Sequence, residues 1–218
     1  MRWDLVVFDN DGVLVDSEPL ANRVLAELLS EVWGPTTIEE CVARYMGGSI
    51  ERVRSMLEAS SPRRLPSDFE DRYHRGVFAA FQEGLRATAG VVSVLDQLDR
   101  AGIPFCVASS GSPDRIRLSL ELVGLWDRFD GRAFSAQDVP RGKPAPDLFL
   151  HAAARLGASP STTVVVEDSP LGIEAALAAG MTAVGFCAVT PSERLGQATY
   201  QAADMDAVCR LLLNGTEV

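Results

Sequence analysis

The chain has 218 residues, with 30 acidic and 20 basic side chains for a formal net charge of −10, and it is 47% hydrophobic and 23% charged. At roughly 150 residues per domain this is more than one small domain and fewer than two full ones, and the fractions are those of a globular rather than a disordered protein. The acidic balance speaks against a nucleic-acid backbone or an anionic membrane as the main partner, and no run approaches the roughly 20 apolar residues of a membrane span.

Met1-Arg2-Trp3-Asp4 leads into only four apolar residues, Leu5 to Phe8, shorter than the apolar stretch of a signal peptide. This predicts a short strand, followed by the acidic turn Asp9-Asn10-Asp11-Gly12. Residues 17–88 contain no convincing strand. Their apolar spacing predicts helices over Pro19–Val32, Ile38–Tyr45, Ile50–Ala59 and Asp68–Glu83. Thr37-x-x-Glu40 and Ser67-x-x-Glu70 read as capping boxes at the second and fourth. From Val91 onward strand and helix alternate. Phe105–Ala108 and Thr163–Val166 are short apolar runs suited to strands buried on both faces, and Val184–Phe186 is a further one. Ser112-Pro113 and Ser169-Pro170 each place a capping hydroxyl before a proline at the first helical position. A helix is expected over Asp147–Arg155, and Thr190-Pro191-Ser192-Glu193 reads as another capping box.

This order predicts an α/β fold, a doubly wound (Rossmann-like) parallel sheet core with an inserted four-helix cap domain. The core is expected to comprise residues 1–16 and 89–218 and the cap residues 17–88. Cys41, Cys106, Cys187 and Cys209 lie far apart with no metal-binding spacing, so reduced thiols in a cytoplasmic protein are expected.

Four segments carry chemistry. Asp9 and Asp11 are two apart on an extended chain and share a face, while Asn10 points away. Carboxylates crowded in that way repel unless a cation or a proton lies between them. Ser109-Ser110-Gly111-Ser112-Pro113 offers hydroxyls and backbone N–H groups at a helix start, an anion site. Gly142-Lys143-Pro144 holds a lysine on a proline-restricted loop, the only lysine in the chain. Glu167-Asp168 closes the third apolar run and suits a hard cation. Taken singly, each also reads as a turn, a helix cap or a solvated charge. Together, all four fall at or just beyond strand ends and would converge on one sheet edge, a set suited to phosphoryl transfer.

Phe8-Asp9-Asn10-Asp11-Gly12-Val13-Leu14-Val15-Asp16-Ser17, Ser109, Gly142-Lys143-Pro144 and Glu167-Asp168-Ser169 resemble, in order, the four signature motifs of the haloacid dehalogenase (HAD) superfamily. The helical insert resembles its four-helix cap subclass, and sugar-phosphate phosphatases and β-phosphoglucomutase-like proteins are the nearest likeness. The resemblance implies that Asp9 is a nucleophile forming an aspartyl-phosphate and that Asp11 is the acid and then the base. It implies Mg²⁺ held by the Asp9 carboxylate, the Asp11 main-chain carbonyl and Asp168, with Glu167 close by. Ser109 and the N–H groups of Ser110 and Gly111 would grip the phosphoryl group, Lys143 would neutralise charge, and Gly47 and Ser49 in the insert would touch substrate.

Departures narrow this. The dehalogenases lack the second aspartate, so Asp11 favours phosphoryl chemistry. Phosphonate-cleaving relatives need a cap lysine, and here the insert has none. The mutases need basic residues for a second phosphate, and Tyr45–Ile50 and Ser110–Pro113 supply none. The expectation is a Mg²⁺-dependent phosphatase for a small phosphorylated metabolite, a sugar or polyol phosphate. A mutase of the same superfamily, and a phospho-accepting signalling module, stand as alternatives. No nucleic-acid or membrane partner is expected; a monomer is plausible, and nothing in the sequence sets the oligomeric state.

Overall fold

The computed structural model describes residues 3–45 and 49–214. They fall into two compact units, a smaller one of Ser17–Leu85 and a larger one formed by the chain up to Asp16 and from Arg86 onward.

The larger unit begins with β1 (Leu5–Phe8) and resumes with α5 (Val91–Ala101) and β2 (Phe105–Ser109). It continues through α6 (Pro113–Leu122), α7 (Trp126–Phe129), β3 (Ala133–Ser135) and α8 (Asp147–Arg155). β4 (Thr163–Glu167), α9 (Pro170–Ala178), β5 (Thr182–Phe186), β6 (Tyr200–Ala202) and α10 (Met205–Asn214) complete it. The six strands form one parallel sheet in the order β3-β2-β1-β4-β5-β6.

Every residue of β1, β2 and β4 is buried, which is why their sequences run apolar without alternation. Period two still sorts the faces. Leu5 and Val7 join Cys106, Ala108, Val165 and Ala183 in a cluster with Leu148, Phe149, Ala152 and Ala153 of α8 and Ile173, Ala175 and Ala176 of α9. Elsewhere in the same unit the Phe8 ring stands edge-on to Phe105 at 6.4 Å, and Phe105 to Phe129 at 5.4 Å. Ser112 and Ser169, each just before a proline, cap α6 and α9 as expected, accepting from the N–H groups of Arg115 and Gly172.

The smaller unit holds α1 (Glu18–Val32), α2 (Ile38–Tyr45), α3 (Ile50–Ala59) and α4 (Phe69–Gly84). Leu25, Leu29, Cys41, Tyr45, Val53, Leu57 and Phe69 form its core. Gly76 allows α4 to approach α1: a Cβ there would lie 2.7 Å from Val24 Cγ1.

Several local expectations are corrected. The Thr37/Glu40 box forms in both directions, at 2.8 and 3.2 Å, but the Ser67/Glu70 box does not. Glu70 instead accepts from Arg54 Nε at 2.6 Å, and the helix opens one residue later behind Asp68. No helix follows Thr190. A single 3₁₀ turn, Ser192–Leu195, forms behind Pro191, and Thr190 is buried. The edge strands β3 and β6 carry no apolar run that would announce them. Residues 86–88, expected in the insert, lie with the larger unit: Arg86 O accepts from Asp16 N at 2.9 Å, Thr88 N donates to Leu14 O at 3.0 Å, and Val15 bridges Ala87.

All four cysteines are free, with Cys187 half-buried and the others buried. His74 and His151 are half-buried, each with its ring edge-on to a neighbouring aromatic, Tyr73 and Phe134 respectively. Among the described residues no helix is long and apolar enough to cross a membrane.

Candidate active site

β1 lies between β2 and β4, and the chain runs from β1 to strands on either side of it. In an open parallel sheet the carboxyl ends at such a point form a crevice. β1 delivers Asp9 there, β2 ends in Ser109, β4 ends in Glu167 with Asp168 next, and Lys143 arrives from the segment between β3 and α8.

Lys143 is the hub. Its ammonium donates to Asp9 Oδ1 at 2.6 Å, Glu167 Oε1 at 2.8 Å and the Ala108 carbonyl at 3.1 Å, which uses all three of its protons. The side chain is only 2% exposed, and its Nζ stands 4.9 Å from the centroid of the Phe149 ring. Burial works against its charge, but Asp9 and Glu167 outweigh that and hold it protonated beyond the ordinary lysine range. The lysine is thus an inward-facing cation, aimed at the carboxyl end of β1.

Asp9, Glu167 and Asp168 are all buried, and one carboxylate oxygen from each lies within 4.8 Å of the others. Their donors are all hard oxygen, the chemistry that Mg²⁺ or Ca²⁺ takes. Two glycines make room for the cluster. Gly12 sits at φ +80°, and a Cβ there would lie 2.0 Å from Asp168 Oδ2. A Cβ at Gly172, in the first turn of α9, would lie 1.8 Å from Glu167 Oε1. The other Glu167 oxygen accepts from the Ser169 N–H at 2.5 Å, so this carboxylate is fixed at both ends.

The side chain of Asp11 takes a different partner. Arg115 Nη2 donates to its Oδ1 at 2.7 Å, and Asn10 Nδ2 to its Oδ2 at 3.4 Å. The expectation that Asn10 points away from Asp11 is corrected: the chain turns at residues 10–12, and the Asn10 amide that reaches Asp11 also donates to Ser119 Oγ at 3.0 Å. Ser109 is buried, and its hydroxyl accepts from the Gly111 N–H at 3.0 Å. That N–H, which the resemblance assigns to a phosphoryl group, donates to Ser109 in this structure, and Ser110 is exposed. In the smaller unit Ser49 caps α3, its hydroxyl accepting from Arg52 N at 3.4 Å. Gly47 lies outside the described residues.

Burial pushes the Asp9 carboxyl up to about 7; Lys143 opposes this, and Glu167 and Asp11 reinforce it. Against four carboxylates, Lys143 and Arg115 bring two positive charges. A divalent cation at the acidic cluster would supply two more and keep Asp9 ionised. The site therefore combines a buried carboxylate at a strand end, a fixed cation beside it, an oxygen-only metal seat and a second carboxylate, Asp11, paired with Arg115.

The family description "haloacid dehalogenase-like hydrolase" matches residues 3–180, most of the chain and every one of these residues. The chain belongs to that hydrolase family. Hexitol phosphatase A of Escherichia coli is 33% identical over 201 residues, covering 90% of this chain and 89% of its own length. A Thermotoga maritima protein named phosphorylated carbohydrates phosphatase is 34% identical over 180 residues, 82% of each chain. Among solved structures, a haloacid dehalogenase-like protein of Agrobacterium tumefaciens superposes with a TM-score of 0.86 at 34% identity, covering 99% of this chain and all of the other. The parallel α/β sheet is the fold of this hydrolase family, and the chain is an enzyme of it.

Sequence reasoning missed Arg115 as a site residue of this hydrolase. A signal was present: an arginine three residues after the Ser112 cap sits in the first turn, where the helix dipole disfavours a cation. Such a local conflict marks a side chain fixed by a partner elsewhere.

Proposed function

We propose that this enzyme hydrolyses a small phosphomonoester, a sugar or polyol phosphate, with Mg²⁺ and through a covalent phosphoryl group on Asp9. The observation that carries the reading is the buried Asp9 carboxylate, 2.6 Å from Lys143 and clustered with Glu167 and Asp168. The names of the relatives from Escherichia coli and Thermotoga maritima support the substrate class.

Asp9 attacks phosphorus, the bond to the leaving oxygen breaks, and Asp11 gives that oxygen its proton. The ionised Asp11 then takes a proton from water, whose oxygen attacks phosphorus and releases inorganic phosphate and free Asp9. Lys143 stabilises the charge of nucleophile and phosphoryl group, and Ser109 with its adjoining backbone orients the phosphoryl oxygens. Asp9, Asp168 and the Asp11 main-chain carbonyl would hold Mg²⁺, with Glu167 beside them. When bound, the ion screens the carboxylates from the phosphate and polarises its oxygens. The four-helix insert acts as the cap in this reading, favouring small metabolites over folded phosphoproteins.

Phosphate release from p-nitrophenyl phosphate and from a panel of sugar and polyol phosphates, with Mg²⁺ and with EDTA, tests the proposal. Turnover is expected on small esters, with Mg²⁺ only, and not in Asp9→Asn. Metal-independent hydrolysis, or activity that survives Asp9→Asn, contradicts it.

A further inference from the structure

We infer that Arg115 is a positioning residue for Asp11, a role that rests on the acid–base function of Asp11 proposed above. The guanidinium and carboxylate meet at 2.7 Å with side chains only 12% and 16% exposed, so the contact is far less screened than a surface ion pair.

Three further observations show that the contact is built into the fold. Arg115 and Ser119 are four residues apart on α6 and share a face. Ser119 holds Asn10 while Arg115 holds Asp11, so one helix grips two successive residues of the loop after β1. The stem of Arg115 passes close over Gly111, where a Cβ would stand 3.3 Å from Arg115 Cδ. Gly111 has no positive φ, so backbone conformation does not demand a glycine, while the arginine's path leaves little room for a side chain. Finally, Arg115 occupies a helix position that disfavours its charge, an unfavourable placement that the Asp11 contact offsets.

The consequence concerns the division of labour among four neighbouring carboxylates. Asp9, Glu167 and Asp168 cluster, and Lys143 contacts the first two. Asp11 is drawn instead to a cation on α6. A carboxylate oriented from outside the metal cluster stays available for proton transfer rather than being taken up as another ligand. Without Arg115 the protein would bind metal and substrate as before but would misdirect the proton to the leaving oxygen.

The test compares kcat/KM, which reports the steps through leaving-group departure, on p-nitrophenyl phosphate and on an alkyl phosphate such as glycerol phosphate. The aryl group leaves without a proton; the alkoxide needs one. For Arg115→Ala, kcat/KM is expected to fall about 10- to 100-fold on the alkyl ester and less than about threefold on the aryl ester. Arg115→Lys should recover most of the alkyl activity, and Mg²⁺ affinity by calorimetry should be unchanged in both. An equal loss on the two esters overturns the inference, because a substrate-binding or purely structural role would not discriminate between leaving groups. If Arg115→Ala does not fold, Arg115→Lys decides: a small loss confined to the alkyl ester supports the inference, and no difference between the esters overturns it. Asp9→Asn, run alongside, separates the two levels. If it is inactive, the outcome bears on Arg115 alone, whereas an active Asp9→Asn overturns both the phosphatase reading and the inference.

Discussion

Lys143 Nζ and Asp9 Oδ1 are 2.6 Å apart, although 134 positions separate them in the chain. The contact joins the segment after β3 to the end of β1, and Glu167 at the end of β4 shares the same ammonium at 2.8 Å. Removing one partner of a buried ion pair leaves the remaining charge without compensation. Lys143→Ala is therefore expected to lose about 3–5 kcal/mol of stability in EDTA at neutral pH. Part of that loss should return with Mg²⁺, which replaces some of the missing positive charge. Urea denaturation with and without the ion measures both. A loss below about 1 kcal/mol would mean that the pair contributes little net stability.

Metal and proton compete for Asp9. Burial raises its carboxyl to about 7 from an ordinary 3.8, so the folded metal-free protein keeps this proton to higher pH than the unfolded chain. Its contribution to stability is fully present below the ordinary value and is lost as pH rises toward 7. Mg²⁺ takes the ionised form, so its affinity should increase up to tenfold per pH unit approaching 7 and level off above it. Calorimetric titrations on either side of neutrality read this directly. An affinity that does not change with pH below 7 would contradict the assignment of Asp9 to the metal seat.

Gly12 and Gly180 separate backbone strain from crowding. Both have positive φ, +80° and +72°, but a Cβ at Gly12 meets Asp168 Oδ2 at 2.0 Å, whereas at Gly180 nothing lies within 4 Å. Alanine at either position should cost about 1–2 kcal/mol for the left-handed backbone. Only Gly12→Ala should also weaken Mg²⁺ binding, by about tenfold or more, as expected for disturbance around a metal ligand. Denaturation and calorimetry on the two variants provide the comparison; equal metal affinity would show that Asp168 does not hold the ion.

Gly172→Ala sets helix propensity against the site. Alanine is a better helix residue than glycine by about 1 kcal/mol, and no positive φ stands in its way. Its Cβ, however, would lie 1.8 Å from Glu167 Oε1 and displace the carboxylate that joins Lys143 to Ser169. Net destabilisation is expected despite the propensity gain, together with reduced turnover. A more stable, fully active variant would show that Glu167 can move without consequence.

Much of this architecture is legible in the sequence because its strands are buried on both faces. Leu5–Phe8 and Val164–Val166 announce themselves by unbroken apolar runs. β3 and β6 do not: each is three residues long and at a sheet edge, where composition is less constrained. Asp9, Lys143, Glu167 and Asp168 could be placed together because parallel topology sends every strand end to the same side. Side-chain partners were less predictable. Glu70 looks like a capping residue until Arg54 claims it, and nothing beside Asp11 announces its Arg115 partner. Pairings of that kind depend on residues distant in sequence, which local spacing does not encode.

Covalent phosphorylation of Asp9 is the central claim, and Asp11→Asn offers the most direct measurement of it. With p-nitrophenyl phosphate the leaving group departs without a proton donor, while the water that should release the phosphoryl group lacks its base. Mass spectrometry of the acid-quenched variant, after incubation with this substrate and Mg²⁺, should find a phosphoryl group on Asp9. A phosphoryl group on any other residue, or none at all while the unaltered enzyme turns over the same substrate, would contradict the account.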